Sequence, residues 1–486
     1  MKNLQNILQD VAIIKSYGKM DMDVNNIQFD SRKVQKNDVF VAQRGLLFDG
    51  HLFIEKAIQN GAKAVVYQDE TIQIPKNITG VLVNDTNDAL AKMASNYYNN
   101  PSAKLNLIGI TGTNGKTTIA TLLHDLFSKA GFKTGLLSTV VVQIANEAFE
   151  ATHTTPDSLT INKYLAKMVE KGVTHCFMEV SSHGIQQKRT EGLHFRGGVF
   201  TNLTHDHLDY HKTFAAYRDT KKKFFDNLPK SAFALVNIDD KNGAVTLQNT
   251  KAKKYTYALK TLADFKTKII ENSLQGMLLR INNKEIWTKL IGYFNAYNVT
   301  AIYGVATLLG FDKDETLRLI SELNSVNGRF EYVISTEGIV AIVDYAHTPD
   351  ALKNVLETID TIKDKSAQII TVIGCGGDRD KAKRPKMATI ATQLSTQSVF
   401  TSDNPRTENS ETIIEEMELG VTPENQDKYL AITNRKQAIK TAVKLAKKGD
   451  IILIAGKGHE DYQEINGVKH HFDDMEIVKE LFGIMN

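Results

Sequence analysis

The sequence predicts an α/β protein of three domains, and three observations carry that prediction. Its 486 residues amount to about three domains at the usual length per domain. Short apolar runs of strand type alternate with helical patterns along the whole chain, which is how parallel sheets covered by helices read in sequence. Third, the stretch "IGITGTNGKTTIATLL", residues 108–123, sets a glycine-rich turn between an apolar run and an amphipathic helix, the local geometry of a P-loop.

Residues 1–98 alternate runs such as "DVFVAQRG", "AKAVVYQD" and "TGVLVND" with helical stretches, and close on "NDALAKMASNYYNNP" before Pro101. This predicts a small N-terminal α/β domain. Residues 99–330 begin with the glycine-rich turn and continue through "HCFMEVSSHG", "GGVFTNLTHDHLD" and "FALVNIDD". They predict a central P-loop ATPase domain, a parallel sheet with helices on both faces. Residues 331–486 carry the strands "QIITVIGCGG", "QSVFTSDNP" and "DIILIAGKG", each followed by a helical pattern. They predict a C-terminal Rossmann-like, doubly wound domain.

Composition narrows the function. Lys and Arg number 59 against 56 Asp and Glu, a net charge of +3, so there is no electrostatic footprint for nucleic acid or for an anionic membrane. Cys176 and Cys375 are too few and too isolated for a disulfide framework, and free buried thiols in a reducing cytosol are expected. The start "MKNLQNILQDVAIIK" lacks the apolar region of a secretory signal, and no run approaches the ~18 apolar residues of a membrane span. A cytoplasmic protein is the expectation.

The turn is a phosphate cradle in its chemistry. Leu105 to Ile110 form the strand-type run, and Ile119, Leu122, Leu123 and Leu126 recur at helical spacing. Backbone N–H groups and the helix dipole converge between them. Gly112 and Gly115 let the backbone approach phosphate oxygens, Lys116 can reach terminal phosphates and Thr117 can hold Mg²⁺. The general pattern G-x-x-x-x-G-K-[ST] is broken once, by Ile110 in place of its first Gly.

Polar clusters follow further strands, where open α/β sheets collect ligands. "FMEVSSHG" presents Glu179, Ser181 and His183, and "TNLTHDHLDYH" presents His205, Asp206, His207, Asp209 and His211. The histidines invite zinc, yet no cysteine or H-E-x-x-H spacing accompanies them. Beside a P-loop, Glu179 with one imidazole suits Mg²⁺ better. On composition alone, Lys221 to Lys223 in "YRDTKKKFF" read as a solvated helix face. The last third adds Asp344 and His347, Arg379, Lys383 and Arg384, Asp403, Asn404 and Arg406, and Lys457, His459 and Glu460. Arg and Glu paired past strand ends suit a zwitterionic ligand, gripped by its carboxylate and its ammonium.

Taken in order, "GTNGKTT", "TTPDS", "MEVSSHG", "TNLTHDHLDYH", "YxxxK", "GYFNAYN", "GRFE", "VDYAHTPD", "GCGGDRDKxKRP", "DNPR" and "AGKGHEDYQ" resemble the Mur ligases of peptidoglycan synthesis over nearly the whole chain. The family uses a loop of this form, without the first Gly, to phosphorylate a carboxylate with ATP before amide formation. The resemblance implies that Gly112, Thr113, Asn114, Gly115, Lys116, Thr117 and Thr118 hold the ATP phosphates. It further implies that Thr117, Glu179, His207 and a carbamylated Lys221 serve Mg²⁺, and that Asn295, Asn298, Arg329 and Asp344 hold the nucleotide. Lys116, Glu179, His207 and Lys221 would be the catalytic set. Ser31, Thr154, Thr155, Ser181, Gln187 and Arg189 would bind a UDP-N-acetylmuramoyl dipeptide, His153 standing where many relatives carry Asn. Arg379, Asp403, Asn404, Pro405, Arg406, Gly456 and Glu460 would bind the incoming amino acid. "DNPR" points to meso-diaminopimelate, with L-lysine as the alternative. The protein is expected to act as a monomer with small-molecule substrates. Competing readings are a folylpolyglutamate synthetase, the D-alanyl-D-alanine-adding relative, and a nucleotide-gated binding protein without chemistry.

Overall fold

A computed structural model describes residues 1–45, 48–204, 206 and 208–484. Three larger sheets organise them, each with its own buried apolar side chains. The N-terminal sheet has five strands in the order Ile13–Tyr17, Thr79–Val83, Ala62–Tyr67, Asp38–Val41, Ile27–Gln28. All its pairs are parallel except the first. The helix Thr86–Tyr97 packs beside it, started by Asp85, whose carboxylate accepts from the Asn87 and Asp88 amides. Such a cap satisfies two of the donors that a helix start leaves free.

The central sheet has eleven strands among the described residues. The P-loop strand Asn106–Thr111 lies in its middle, flanked in parallel by His175–Glu179 and Gly197–Phe200. It is covered on both faces, which is why "LIGIT" reads as an unbroken apolar run rather than an alternation. The helix Lys116–Lys129 turns Ile119, Leu122, Leu123 and Leu126 onto the sheet. The expected parallel sheet holds in this middle part and gives way at both edges. Thr134–Leu137 pairs antiparallel with Val141–Ile144, because so short a connection cannot make the crossover that a parallel pair needs. At the other edge Phe265–Ser273, Gly276–Ile281 and Lys284–Thr288 form a meander. Its second turn uses Asn282 and Asn283, both at positive φ, the hairpin chemistry that Asn tolerates.

The C-terminal sheet runs Glu331–Ile334, Val340–Asp344, Ile451–Ala455, Ile369–Ile373, Gln397–Phe400, Tyr429–Ala431, parallel after its first pair. The hairpin Tyr462–Ile465 and Val468–His471 stands outside it. No helix among the described residues is long and apolar enough to cross a membrane. Cys176 and Cys375 are buried free thiols.

Candidate active site

The P-loop is held open by contacts that only glycine permits. A Cβ on Gly112 would lie 1.8 Å from Thr201 Oγ1, and one on Gly115, at φ +86°, would lie 2.8 Å from Asn298 Oδ1. The loop is pinned from the next strand end: Thr113 and Asn114 donate their amides to Asn202 O and Asn202 Oδ1, both at 2.9 Å. Thr201 Oγ1 donates to Asn114 O at 2.6 Å. The helix N-terminus that begins at Lys116 therefore faces the cavity with its first amides oriented, and Thr117 and Thr118 line the same space.

Two lysines meet over this loop. Lys116 Nζ donates to Gly112 O at 3.0 Å and Thr113 O at 2.7 Å. Lys221 Nζ donates to the same Gly112 carbonyl at 2.9 Å and lies 4.8 Å from the centre of the Tyr217 ring. Burial lowers both ammonium pKa values, that of Lys221 well below its usual value, with Lys116 adding like-charge repulsion. The run 221–223 is thus no solvated face. Lys221 and Lys222 are buried, Lys222 holding Asp226 one turn on at 2.7 Å, and only Lys223 is exposed. The reason is packing: Phe214–Asp226 lies against the sheet, and Phe224 and Phe225 carry Lys221 and Lys222 inward with them.

Glu179 closes the strand His175–Glu179 and is fully buried. Its Oε1 accepts from the Thr139 amide at 2.7 Å, while Oε2 has no hydrogen-bond partner among the described residues. A buried carboxylate oxygen without a partner costs stability unless a cation or donor meets it. Glu179 and the Thr117 hydroxyl line the same cavity, and oxygen donors of this kind suit Mg²⁺. The predicted third ligand, His207, lies outside the described residues, as does His205. Among the described residues no group of three or more His, Cys, Asp or Glu forms a metal cluster.

The C-terminal half comes to meet the loop. Arg329 Nη2 donates to Thr117 Oγ1 at 3.2 Å, and its guanidinium lies 4.4 Å from the centre of the Tyr345 ring. Asn114 Nδ2 donates to Asp350 Oδ2 at 3.3 Å. Asp344 accepts from the Phe330 amide at 2.7 Å, and burial pushes its carboxyl up to about 6 against the pull of Arg329. Asn298 Nδ2 donates to Asn295 Oδ1, and Asn295 Nδ2 to Ile291 O, both on or beside the helix Tyr293–Leu308. Burial keeps the neighbouring imidazoles neutral, with His347 pushed down to about 4 and His459 to about 3.

These parts share one cavity of about 1730 Å³, lined from Thr113 through Glu179 and Lys221 to Arg329, Arg379 and Glu460. Thr154, Thr155, Ser181, Gln187 and Arg189 line it together. Arg189 donates to Thr155 O and by Nε and Nη2 to Gln187 Oε1, and Thr155 Oγ1 to Glu179 O, so this wall is one hydrogen-bonded unit. His153 lines it as well. Asp403, Asn404 and Gly456 follow the strands Gln397–Phe400 and Ile451–Ala455, with Pro405 and Arg406 beside them, and of the predicted amino-acid site only Arg379 and Glu460 line the cavity. Arg379 is exposed, and Ser31 is buried in the short 3₁₀ turn Ser31–Lys33 and does not line the cavity. Sequence reasoning missed Tyr345, Asp350 and the Thr201–Asn202 pair. The first two stood inside "VDYAHTPD" and the last inside "TNLTHDHLDYH", each following a strand.

A P-loop sheet and a second α/β sheet facing one cavity define a multidomain nucleotide-using enzyme. The comparisons with known proteins place it further: the chain belongs to the Mur ligase family. Residues 23–98 match the family's catalytic domain, 110–306 the Mur ligase middle domain and 328–458 the Mur ligase glutamate ligase domain. A curated relative from Cytophaga hutchinsonii, a UDP-N-acetylmuramoyl-L-alanyl-D-glutamate--2,6-diaminopimelate ligase, is 55% identical over 98% of both chains. One of the same name from Clostridium tetani is 42% identical over 98% of this chain and 99% of its own. A solved structure of a ligase of that name has a TM-score of 0.71 at 32% identity over 99% of each chain. The MurF ligase of Thermotoga maritima, solved in complex with ADP, shares the fold at a TM-score of 0.60 and 20% identity over 94% of this chain and 97% of its own.

Proposed function

We propose that the protein joins meso-diaminopimelate to UDP-N-acetylmuramoyl-L-alanyl-D-glutamate at the expense of ATP, in cytoplasmic peptidoglycan precursor synthesis. The observation that carries this is the single cavity running from Lys116, Lys221 and the unpartnered Glu179 oxygen at one end to Arg379 and Glu460 at the other. Four curated relatives at 50–55% identity bear the name of that reaction. On this reading residues 1–98 hold the UDP-sugar, 99–330 the ATP, and 331–486 the amino acid, in a monomer.

The dipeptide's γ-carboxylate takes the γ-phosphoryl group of ATP, and ADP leaves. The neutral amine of the amino acid then attacks the acyl phosphate, and the tetrahedral intermediate expels phosphate. Little covalent work falls to the protein, so positioning and charge neutralisation dominate. Lys116 balances the charge on the transferring phosphoryl group, and Arg329 binds at Thr117 from the opposite wall. Thr117 and Glu179, with His207 and a carbamylated Lys221, would hold Mg²⁺, which supplies charge neutralisation when bound. Asn295, Asn298 and Asp344 take the nucleoside end, and Arg189 with Gln187 the dipeptide.

The test is phosphate release with ATP, Mg²⁺, the UDP-muramoyl dipeptide and a panel of amino acids. Turnover with diaminopimelate that Lys116→Ala abolishes, with the fold intact, is the expected result. Turnover only with folates, with lysine or with D-alanyl-D-alanine would replace this reading by one of those activities.

A further inference from the structure

Lys457 follows Gly456 at the end of the strand Ile451–Ala455, and its side chain is completely buried. Lysine is rarely buried without partners, and here the partners are specific. Nζ donates to the Tyr462 carbonyl, and it meets Glu460 Oε2 at 3.4 Å and Asn404 Oδ1 at 3.5 Å. Asn404 donates its own Nδ2 to the same Glu460 Oε2 at 2.7 Å, and its Oδ1 accepts from the Glu464 amide at 2.8 Å. Among the described residues the hydrogen bonds to Glu460 thus fall on Oε2, while Glu460 lines the cavity. Oε1 is left for a ligand.

The electrostatics favour a cation beside Glu460. Burial and the neighbouring Asp403 both raise the Glu460 carboxyl pKa, while Lys457 and the Asn404 bond oppose them. The other charged or titratable groups facing it are Arg435 from the helix Arg435–Leu445, Tyr345 beyond the strand Val340–Asp344, and Tyr462 from the hairpin. Arg435 is already committed to Asp474, at 2.7 and 2.8 Å. Among the described residues Lys457 is the cation paired with Glu460, at 3.4 Å.

We propose that Lys457 is a positioning residue for the incoming amino acid: its buried ammonium fixes Glu460 by one carboxylate oxygen and so presents the other to the substrate's ammonium group. Lys457 does not touch the substrate, and the proposal rests on Glu460 lying in the amino-acid site. Without Lys457 the carboxylate keeps only its Asn404 bond on Oε2, and it takes up a proton at higher pH because Asn404 alone then opposes burial and Asp403.

The experiment compares Lys457→Met, Lys457→Gln, Glu460→Gln and the double variant Lys457→Met/Glu460→Gln in the full-length enzyme. Each is assayed for the KM of all three substrates and for kcat/KM of the amino acid against pH. Lys457→Met should raise the amino-acid KM by roughly 10- to 100-fold, the range of a lost hydrogen bond to a charged group. It should leave the KM of ATP and of the nucleotide dipeptide almost unchanged and move the acidic limb of the amino-acid profile to higher pH. The double variant should be no worse than Glu460→Gln alone. If Lys457→Met does not fold, Lys457→Gln, which keeps length and polarity, gives the same comparison. An unchanged amino-acid KM and pH limb in the lysine variants, with Glu460→Gln impaired, overturns the role of Lys457. A Glu460→Gln variant with unchanged amino-acid KM overturns the site reading itself, and the proposal with it.

Discussion

Arg329 donates to the hydroxyl of Thr117 at 3.2 Å, joining the turn before the C-terminal sheet to the first turn of the P-loop helix. The same guanidinium is stacked on Tyr345, and its buried Nε has no hydrogen-bond partner among the described residues. A fixed cation aimed at the phosphate end of the cavity is worth most where charge develops in transfer. Arg329→Ala should lower kcat/KM for ATP by about 10²-fold or more, with Arg329→Lys recovering part of the loss. Both variants should melt within a few degrees of the parent. Phosphate-release kinetics decide it, and undiminished turnover in Arg329→Ala would remove Arg329 from the nucleotide site.

Lys221 combines full burial, a lowered ammonium pKa and a bond to Gly112 O beside Lys116. The neutral amine, which a lowered pKa favours, is the form that adds CO₂, giving a carbamate and releasing one proton, and a carbamate would turn a repelling pair of lysines into an attracting one. The cation that opposes a charged Lys221 is Lys116 rather than its chain neighbours, which the run of three lysines concealed. Intact-mass or ¹³C measurements after equilibration with bicarbonate should find one carbamate on Lys221. Activity should fall when CO₂ is stripped, and short carboxylates should partly rescue Lys221→Ala. An inert substitution with full activity would end the assignment.

The parts of this site that could be read in the sequence are those where chain order and spatial order coincide. The loop from Gly112 to Thr117 sits between its own strand and helix, so a few residues state the whole geometry. Glu179 and Asp344 end apolar runs, and strand ends gather at one edge of a parallel sheet. What stayed hidden depended on packing between distant segments. Lys222 is buried because Phe224 and Phe225 turn its helix onto the sheet. The Asn114 to Asp350 bond joins residues 236 positions apart. The antiparallel edge strands were hidden in another way, since "INNKE" carries a hairpin turn that was passed over in favour of the strand and helix alternation around it.

Asp344 gives the protein a pH dependence of defined sign. Its folded carboxyl is pushed up from 3.8 to about 6 by burial. A folded pKa above the unfolded one means that the native state binds the proton more tightly. The associated stability is fully present below about pH 4 and is lost as pH rises through 6. The shift of about two units corresponds to roughly 3 kcal/mol at neutral pH. Asp344→Asn keeps an acceptor for the Phe330 amide without the charge. Its melting temperature should rise above that of the parent at pH 7.5, and the difference should vanish near pH 4. Nucleotide-dependent activity should fall at pH 7.5, where the parent carries an anionic Asp344 and the variant does not, and the two should converge near pH 4, where both are neutral. A difference that is constant with pH would show that Asp344 does not titrate in this range.

The choice between diaminopimelate and lysine turns on one carboxylate at the far end of the side chain, and on the proposed function Arg406 is the expected group to read it. Arg406 occupies a left-handed backbone position, φ +52°, and its amide and carbonyl pair with Glu464 O and the Asn466 amide of the outer hairpin. Its Nη1 donates to Gly377 O at 2.7 Å, and Nε lies 3.5 Å from Glu464 Oε2. The guanidinium is thereby braced against two loops, and among the described residues Nη2 has no hydrogen-bond partner. A braced fork is pre-organised for carboxylate and loses little freedom on binding it. A substrate without that carboxylate leaves the fork unpaired, and discrimination on the order of 10²-fold follows. The kcat/KM ratio of diaminopimelate to lysine measures this directly, and equal values would show that Arg406 only braces the loops. Arg406→Lys keeps the charge but loses the fork, so it should erode the ratio while the melting temperature stays close to that of the parent. Arg406→Ala should erode it further, with some loss of stability because alanine has no side-chain bond to hold the left-handed turn. A fall in melting temperature without a change in the ratio would assign Arg406 to the loops alone.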